Sequence, residues 1–180
     1  MHKTLTLALL ALVLITGAAA AADIGIGAFG GVNIPVLNDL SKQGSDFGVR
    51  VPVKLIPLFT VEPFFSSSSL GDVEETFGST TYTRDGGDLK AFGANVLFTF
   101  GSPVFQLFPF AGIGSYKLER AGAEDVSDVG YSFGLGLGLS PIPKVGVNVR
   151  GEFDMVVTDE TSQKFAKVTA GASYSIFSLP

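Results

Sequence analysis

Val129–Val157 reads VGYSFGLGLGLSPIPKVGVNVRGEFDMVV, two alternating runs joined by a Pro-marked turn. In the first run Val129, Tyr131, Phe133, Leu135, Leu137 and Leu139 share one phase, with Gly130, Ser132, Gly134, Gly136 and Gly138 in the other. In the second, Val145, Val147, Val149, Phe153, Met155 and Val157 stand against Asn148, Arg150, Glu152 and Asp154. Successive strand side chains point to opposite faces, so each run has one apolar face and one small or charged face. A water-soluble sandwich turns its apolar phase inward. Here the polar phase carries three charges in mid-strand, which suits a barrel turned inside out, with lipid outside and ion pairs within.

The same alternation recurs along the chain. Outside the opening hairpin, strands are expected at 23–34, 47–56, 58–65, 89–100, 104–118 and 165–177. With the hairpin they make eight. Long polar connections (35–46, 66–88, 119–128 and 158–164) follow strands one, three, five and seven, and short ones marked by proline follow two, four and six. An even number of antiparallel strands, with short turns at one rim and long loops at the other, predicts an all-β, eight-stranded antiparallel up-and-down transmembrane barrel. Runs of about 10 residues fit tilted spanning strands, and eight strands enclose a space that side chains fill. Pro52 and Pro63 each remove a ladder donor, and local bulges are the expected accommodation. Both phases are apolar near 105–110, where the register is ambiguous; farther along, Ala111 and Ile113 against Gly112 and Gly114 suggest that odd positions face out.

Composition agrees. Charged residues are 16% of the 180, against about 25% in ordinary soluble domains, while Gly (23) and Phe (16) are abundant. Residues 1–22 have a short basic start at Lys3, an apolar stretch over Leu5–Ile15 and small residues from Gly17 to Ala22. That pattern predicts a secretory signal peptide over 1–22 and a barrel domain over 23–180, with the mature chain starting at Asp23. The apolar stretch is too short for a membrane-spanning helix, which needs about 20 residues.

Charge is partitioned by the same reading. The four long connections hold thirteen carboxylates (Asp39, Asp46, Asp72, Glu74, Glu75, Asp85, Asp88, Glu119, Glu124, Asp125, Asp128, Asp159 and Glu160) against Lys42, Arg84, Arg120 and Lys164. Inside, a charge network is expected from Arg50, Lys54, Glu62, Arg150, Glu152, Asp154 and Lys167, with Lys90 also inward. Near-balance of sign is what buried charges require. Phe59, Phe65, Phe98, Phe100, Tyr131, Phe133, Phe153 and Tyr174 are the expected lipid-facing aromatics.

Pro109-Phe110-Ala111-Gly112-Ile113-Gly114, Gly93-Ala94-Asn95-Val96-Leu97-Phe98 and the aromatic-ending last strand carry a resemblance. The chain resembles the OmpA/OmpX-like small outer-membrane β-barrels, of the porin and OmpA-like transmembrane group, over its whole expected mature length. The resemblance implies the outer membrane of a Gram-negative bacterium, contact with outer-membrane lipid and lipopolysaccharide, and insertion by the barrel-assembly machinery. That machinery reads a terminal aromatic. Here Phe177 is out of phase with Tyr174 and Ile176 and is followed by Ser178-Leu179-Pro180. No C-terminal peptidoglycan-binding domain is expected.

Chemistry is scarce. The one His in the sequence is His2, within the expected signal, and there is no Cys. A Ser-His-acid or Cys-His apparatus and a zinc site of imidazole or thiolate ligands are therefore unavailable to the mature chain. The His- and Ser-dependent lipid chemistry of some relatives does not carry over. Glu62, Glu152 and Asp154 read as counter-charges rather than a catalytic carboxylate set. Acidic stretches at 72–75 and 119–128 lack the ligand spacing of a Ca²⁺ loop and read as solvated surface. The expectation is no enzyme activity, no cofactor, no nucleic acid, and a structural or surface-interaction role through the acidic loops. The alternatives are a small-conductance channel and a soluble, lipocalin-like periplasmic barrel for an apolar ligand.

Overall fold

The computed structural model describes residues 23–36, 41–77, 80–84, 86–119, 126–158 and 162–178. The expected signal peptide and the loop charges Asp39, Asp85, Arg120, Glu124, Asp125, Asp159 and Glu160 lie outside them. The strands are β1 (Asp23–Val36), β2 (Lys42–Arg50), β3 (Val53–Ile56), β4 (Phe59–Gly71), β5 (Val73–Phe77), β6 (Thr80–Arg84), β7 (Asp88–Phe98), β8 (Phe100–Gly101), β9 (Phe105–Glu119), β10 (Val126–Ile142), β11 (Val145–Val157) and β12 (Gln163–Ser178). β2 with β3, and β7 with β8, are interrupted single staves. The barrel therefore has eight staves, each antiparallel to its neighbours, and β1 pairs with β12 to close the ring.

Prolines interrupt the second stave without shifting it. Arg50 pairs with Phe64 and Val53 with Val61, so the register is the same on both sides of the gap. Pro52 and Pro63 occupy that one gap, and no bulge is needed there. The backbone N–H groups of Val51 and Gly25 donate to the carbonyls of Pro63 and Pro52, both at 2.9 Å. The expected bulges are thus replaced by two missing donors set in one window. A bulge does occur at the end of β12, where Gly25 pairs with Ser175 but Ile24 with Phe177. It turns Phe177 onto the face of Ile24, and its ring is exposed.

The connection expected over 66–88 is largely strand. β4 continues through Ser66, Ser68 and Leu70, all facing inward and buried, and β5 and β6 form a separate two-stranded hairpin beyond the barrel wall. Asp46 is likewise not in a loop. It has the parity of Gly48 and Arg50 on β2 and is buried inside. Asp88, Glu119 and Asp128 also sit on strands. The register of β9 is settled with even residues in: Phe108, Phe110 and Tyr116 are buried, while Phe105, Leu107 and Ile113 are exposed.

The exterior is the inverse of a soluble barrel. Ile26, Phe47, Val49, Phe92, Val96, Leu135, Leu137, Val149 and Val168 are among the large apolar side chains it exposes. Inside the half nearer the long loops, Phe64, Leu70, Leu89, Ala91, Tyr116, Val156 and Phe165 pack together; nearer the short turns, Leu97, Phe108 and Phe110 form a second cluster. The glycine phase of β10 makes room for these rings. A Cβ on Gly136 would lie 2.1 Å from Phe108, and one on Gly134 2.5 Å from Phe110.

Candidate functional site

The interior polar residues form two groups at different heights. In the group nearer the short turns, Glu62 on β4 accepts from both terminal nitrogens of Arg150 on β11, at 2.5 and 2.9 Å. Glu62 and Arg150 are 2% and 4% exposed, so the fork-to-fork pair is dry. Asn148 Oδ1 accepts from Arg150 Nε at 3.1 Å and from Arg50 Nη1 at 3.4 Å. Arg50 also donates to Thr169 Oγ1 at 3.2 Å and lies 3.7 Å over the Phe29 ring. Arg150 sits 4.9 and 5.6 Å from the centroids of Phe108 and Phe110. Weakly hydrated guanidinium stacks on aromatic faces, which is how one interior holds both ions and rings.

The group nearer the long loops centres on Lys167, whose Nζ is 2.8 Å from Asp154 Oδ2. Glu152 stands directly across the β11–β12 pair from Lys167. Asp46 accepts from Ser68 Oγ at 2.6 Å, and Ser68 accepts from Asn33 Nδ2 at 2.9 Å. Ser132 donates to Asn95 Oδ1 at 2.9 Å lower in the lumen.

Of the seven residues expected to form the network, the structure brings Glu62, Arg150 and Arg50 into one group and Lys167, Asp154 and Glu152 into another. Lys54 faces inward beside Thr60 and joins neither; it makes no ion pair with the described residues. Lys90 does not face inward. It has the outward parity of Phe92 and pairs across the sheet with Lys117, and both bind Glu119 at the outer wall, at 2.6 and 2.8 Å. Asn33, Asn95, Asn148 and Thr169 join these groups from the polar phases of their strands, and Asp46 and Ser68, expected in loops, join them as well. Strand parity could have found Asp46 and Ser68 had β2 and β4 been carried farther toward the loops.

All eight expected wall aromatics lie on the outer face. Phe59, Phe98 and Phe100 form an edge-to-face trio with centroids 4.7 and 4.5 Å apart, and Phe133 lies 5.2 Å from Phe153. Phe65, Tyr131 and Tyr174 are exposed. Beyond the opposite rim, the β5–β6 hairpin carries Glu74 and Glu75 and exposes Tyr82. At its base Asp72 accepts from the Gly86 N–H at 3.2 Å, and Ser41 donates to the Gly86 carbonyl at 2.9 Å. Among the described residues no cluster of His, Cys, Asp or Glu is arranged to hold a metal.

A closed eight-stave barrel with an apolar exterior and an ion-paired interior defines an integral β-barrel protein of the bacterial outer membrane. Residues 6–175 match the family described as outer membrane protein beta-barrel domain, and the chain belongs to that family. No curated protein matches. Among solved structures, Neisserial surface protein A is similar, with a TM-score of 0.67, 12% identity, and coverage of 85% of this chain and 97% of that one. The N-terminal barrel domain of Pseudomonas aeruginosa OprF gives 0.54, 12% identity, 86% and 98%. A major outer membrane protein of Thermus thermophilus gives 0.51, 11% identity, 85% and 99%. At these identities the likeness is one of fold.

Proposed function

We propose that this protein is a non-enzymatic, lipid-anchored scaffold that presents an acidic outer surface to partners outside the cell. The observation that carries this reading is the division of the molecule: the outer half of the lumen is filled with packed rings and ion pairs, while the β5–β6 hairpin projects beyond the wall. A filled outer half leaves interaction on that side to the loops, which a rigid frame holds in place. The apolar wall meets outer-membrane lipid, with lipopolysaccharide in the outer leaflet, and the barrel-assembly machinery inserts it. Glu74 and Glu75 on the hairpin favour a basic partner.

The test uses the barrel refolded into vesicles. Whole protein and a Glu74→Gln/Glu75→Gln variant are passed over immobilised basic polypeptide at physiological salt. Salt-sensitive retention of the whole protein, weakened in the variant, supports the reading. Equal retention of both removes the hairpin from it, and steady single-channel steps in a planar bilayer would move the function into the lumen, as a small-conductance channel.

A further inference from the structure

The short-turn end of the barrel opens into a cavity of about 640 Å³. In barrels of this class that rim faces the periplasm. The charged residues lining it are Arg50, Lys54, Lys144 and Arg150 against Asp23 and Glu62, four cations to two carboxylates. Both carboxylates are already engaged. Arg150 clamps Glu62, and Asp23 accepts a hydrogen bond from Ser175 Oγ. Arg50, at the deep end and 6% exposed, has no such clamp. Its donors reach two neutral oxygens, on Asn148 and Thr169, and its Nε is 3.8 Å from Glu62, too far for a hydrogen bond. A guanidinium has five N–H donors in a fixed fork suited to two oxygens at once. Lys54 stands half-buried on the cavity wall without an ion pair to any described residue. Thr60, Thr99, Ser102, Gln106 and Asn148 add neutral hydrogen-bonding groups.

We infer that this cavity is a periplasm-facing binding site for a small oxyanion, a phosphate or carboxylate group, held on Arg50 with Lys54 as the second cation. A buried cation without a clamping carboxylate, next to a polar cavity open to solvent, gains most from an anion that enters with two or more oxygens. The site is independent of the outer-surface role proposed above, since it lies at the opposite rim.

The test is a titration of the micelle-refolded barrel with inorganic phosphate and, separately, succinate, in low-chloride buffer. The readout is the arginine Nε–Hε NMR resonances, with Arg50 assigned through its contact to Thr169. The expected result is a saturable shift of the Arg50 signal. Lys54→Gln raises the half-saturation concentration about tenfold, the loss of one charge-assisted contact. Lys42→Gln, at the opposite rim, leaves it unchanged. In Arg50→Gln the resonance of Arg150, on the same cavity wall, shows no saturable shift; if that variant does not refold, Lys54→Gln carries the comparison. Saturation by phosphate alone or succinate alone assigns the oxyanion. A shift that grows linearly with both salts, or the same half-saturation in Lys54→Gln, overturns the proposal and leaves Arg50 as a counter-charge for the interior acids.

Discussion

Replacing Glu62 with glutamine keeps the side chain's size and removes one negative charge from a deeply buried ion pair of the barrel. In the wild type Glu62 accepts from Arg150 at 2.5 and 2.9 Å and is also the carboxylate nearest Arg50. The variant leaves two buried guanidiniums sharing Asn148 and no carboxylate between them. Breaking a buried pair by removing one partner costs about 3–5 kcal/mol. With a urea slope of about 2 kcal/mol/M, the unfolding midpoint falls by about 2 M. The chain has no Trp, so unfolding in vesicles is followed by far-UV circular dichroism and by the mobility difference between boiled and unboiled samples. Glu62→Leu/Arg150→Leu, which removes both charges of the clamp, should recover a large part of the loss, because apolar replacement of a buried pair is often neutral. A Glu62→Gln midpoint within about 0.5 M of the wild type, corresponding to about 1 kcal/mol, would refute the claim that this pair is dry and unreplaced.

Three further outcomes follow from the packing. Gly136→Ala should destabilise by about 1–3 kcal/mol, because its Cβ would lie 2.1 Å from the Phe108 ring under Arg150, whereas Gly151→Ala, with open space around it, should be near neutral; paired urea titrations compare them. Leu135→Arg, on the exposed middle of the β10 outer face, should cost about 2–4 kcal/mol in bilayers, and Ile142→Arg at the short-turn rim about 0–1 kcal/mol, measured the same way. Lys167→Met should cost about 3–5 kcal/mol by stranding Asp154 beside Glu152 and Asp46, as read by urea unfolding titrations of wild type and variant.

Where period-two patterning was continuous, the sequence carried both fold and facing. Val129–Val157 shows its wall and lumen phases directly, and Arg150, Glu152 and Asp154 fall on the lumen side. Patterning failed where polarity stood in for loop. Ser66–Ser69 reads as a polar run, yet alternate serines face the lumen because an ion-paired interior accepts hydroxyls as readily as a loop does. Asp46 was misplaced for the same reason. Lys90 was assigned by its charge, against its own parity with Phe92; near the rim an outward lysine reaches Glu119 and water rather than lipid. The grouping of interior charges was not legible, because it depends on contacts between residues as distant as Glu62 and Arg150. Strand order alone does not set those heights.

Closure of β1 on β12 brings Asp23 opposite Ser178 at the short-turn rim. The ring of staves therefore has no privileged first member. A short linker joining those two positions, with a new opening cut between β11 and β12, would make a circular permutant with every ladder of the original. Such a chain would present a different strand last during synthesis while enclosing the same lumen, and would show whether order of emergence or final geometry governs insertion.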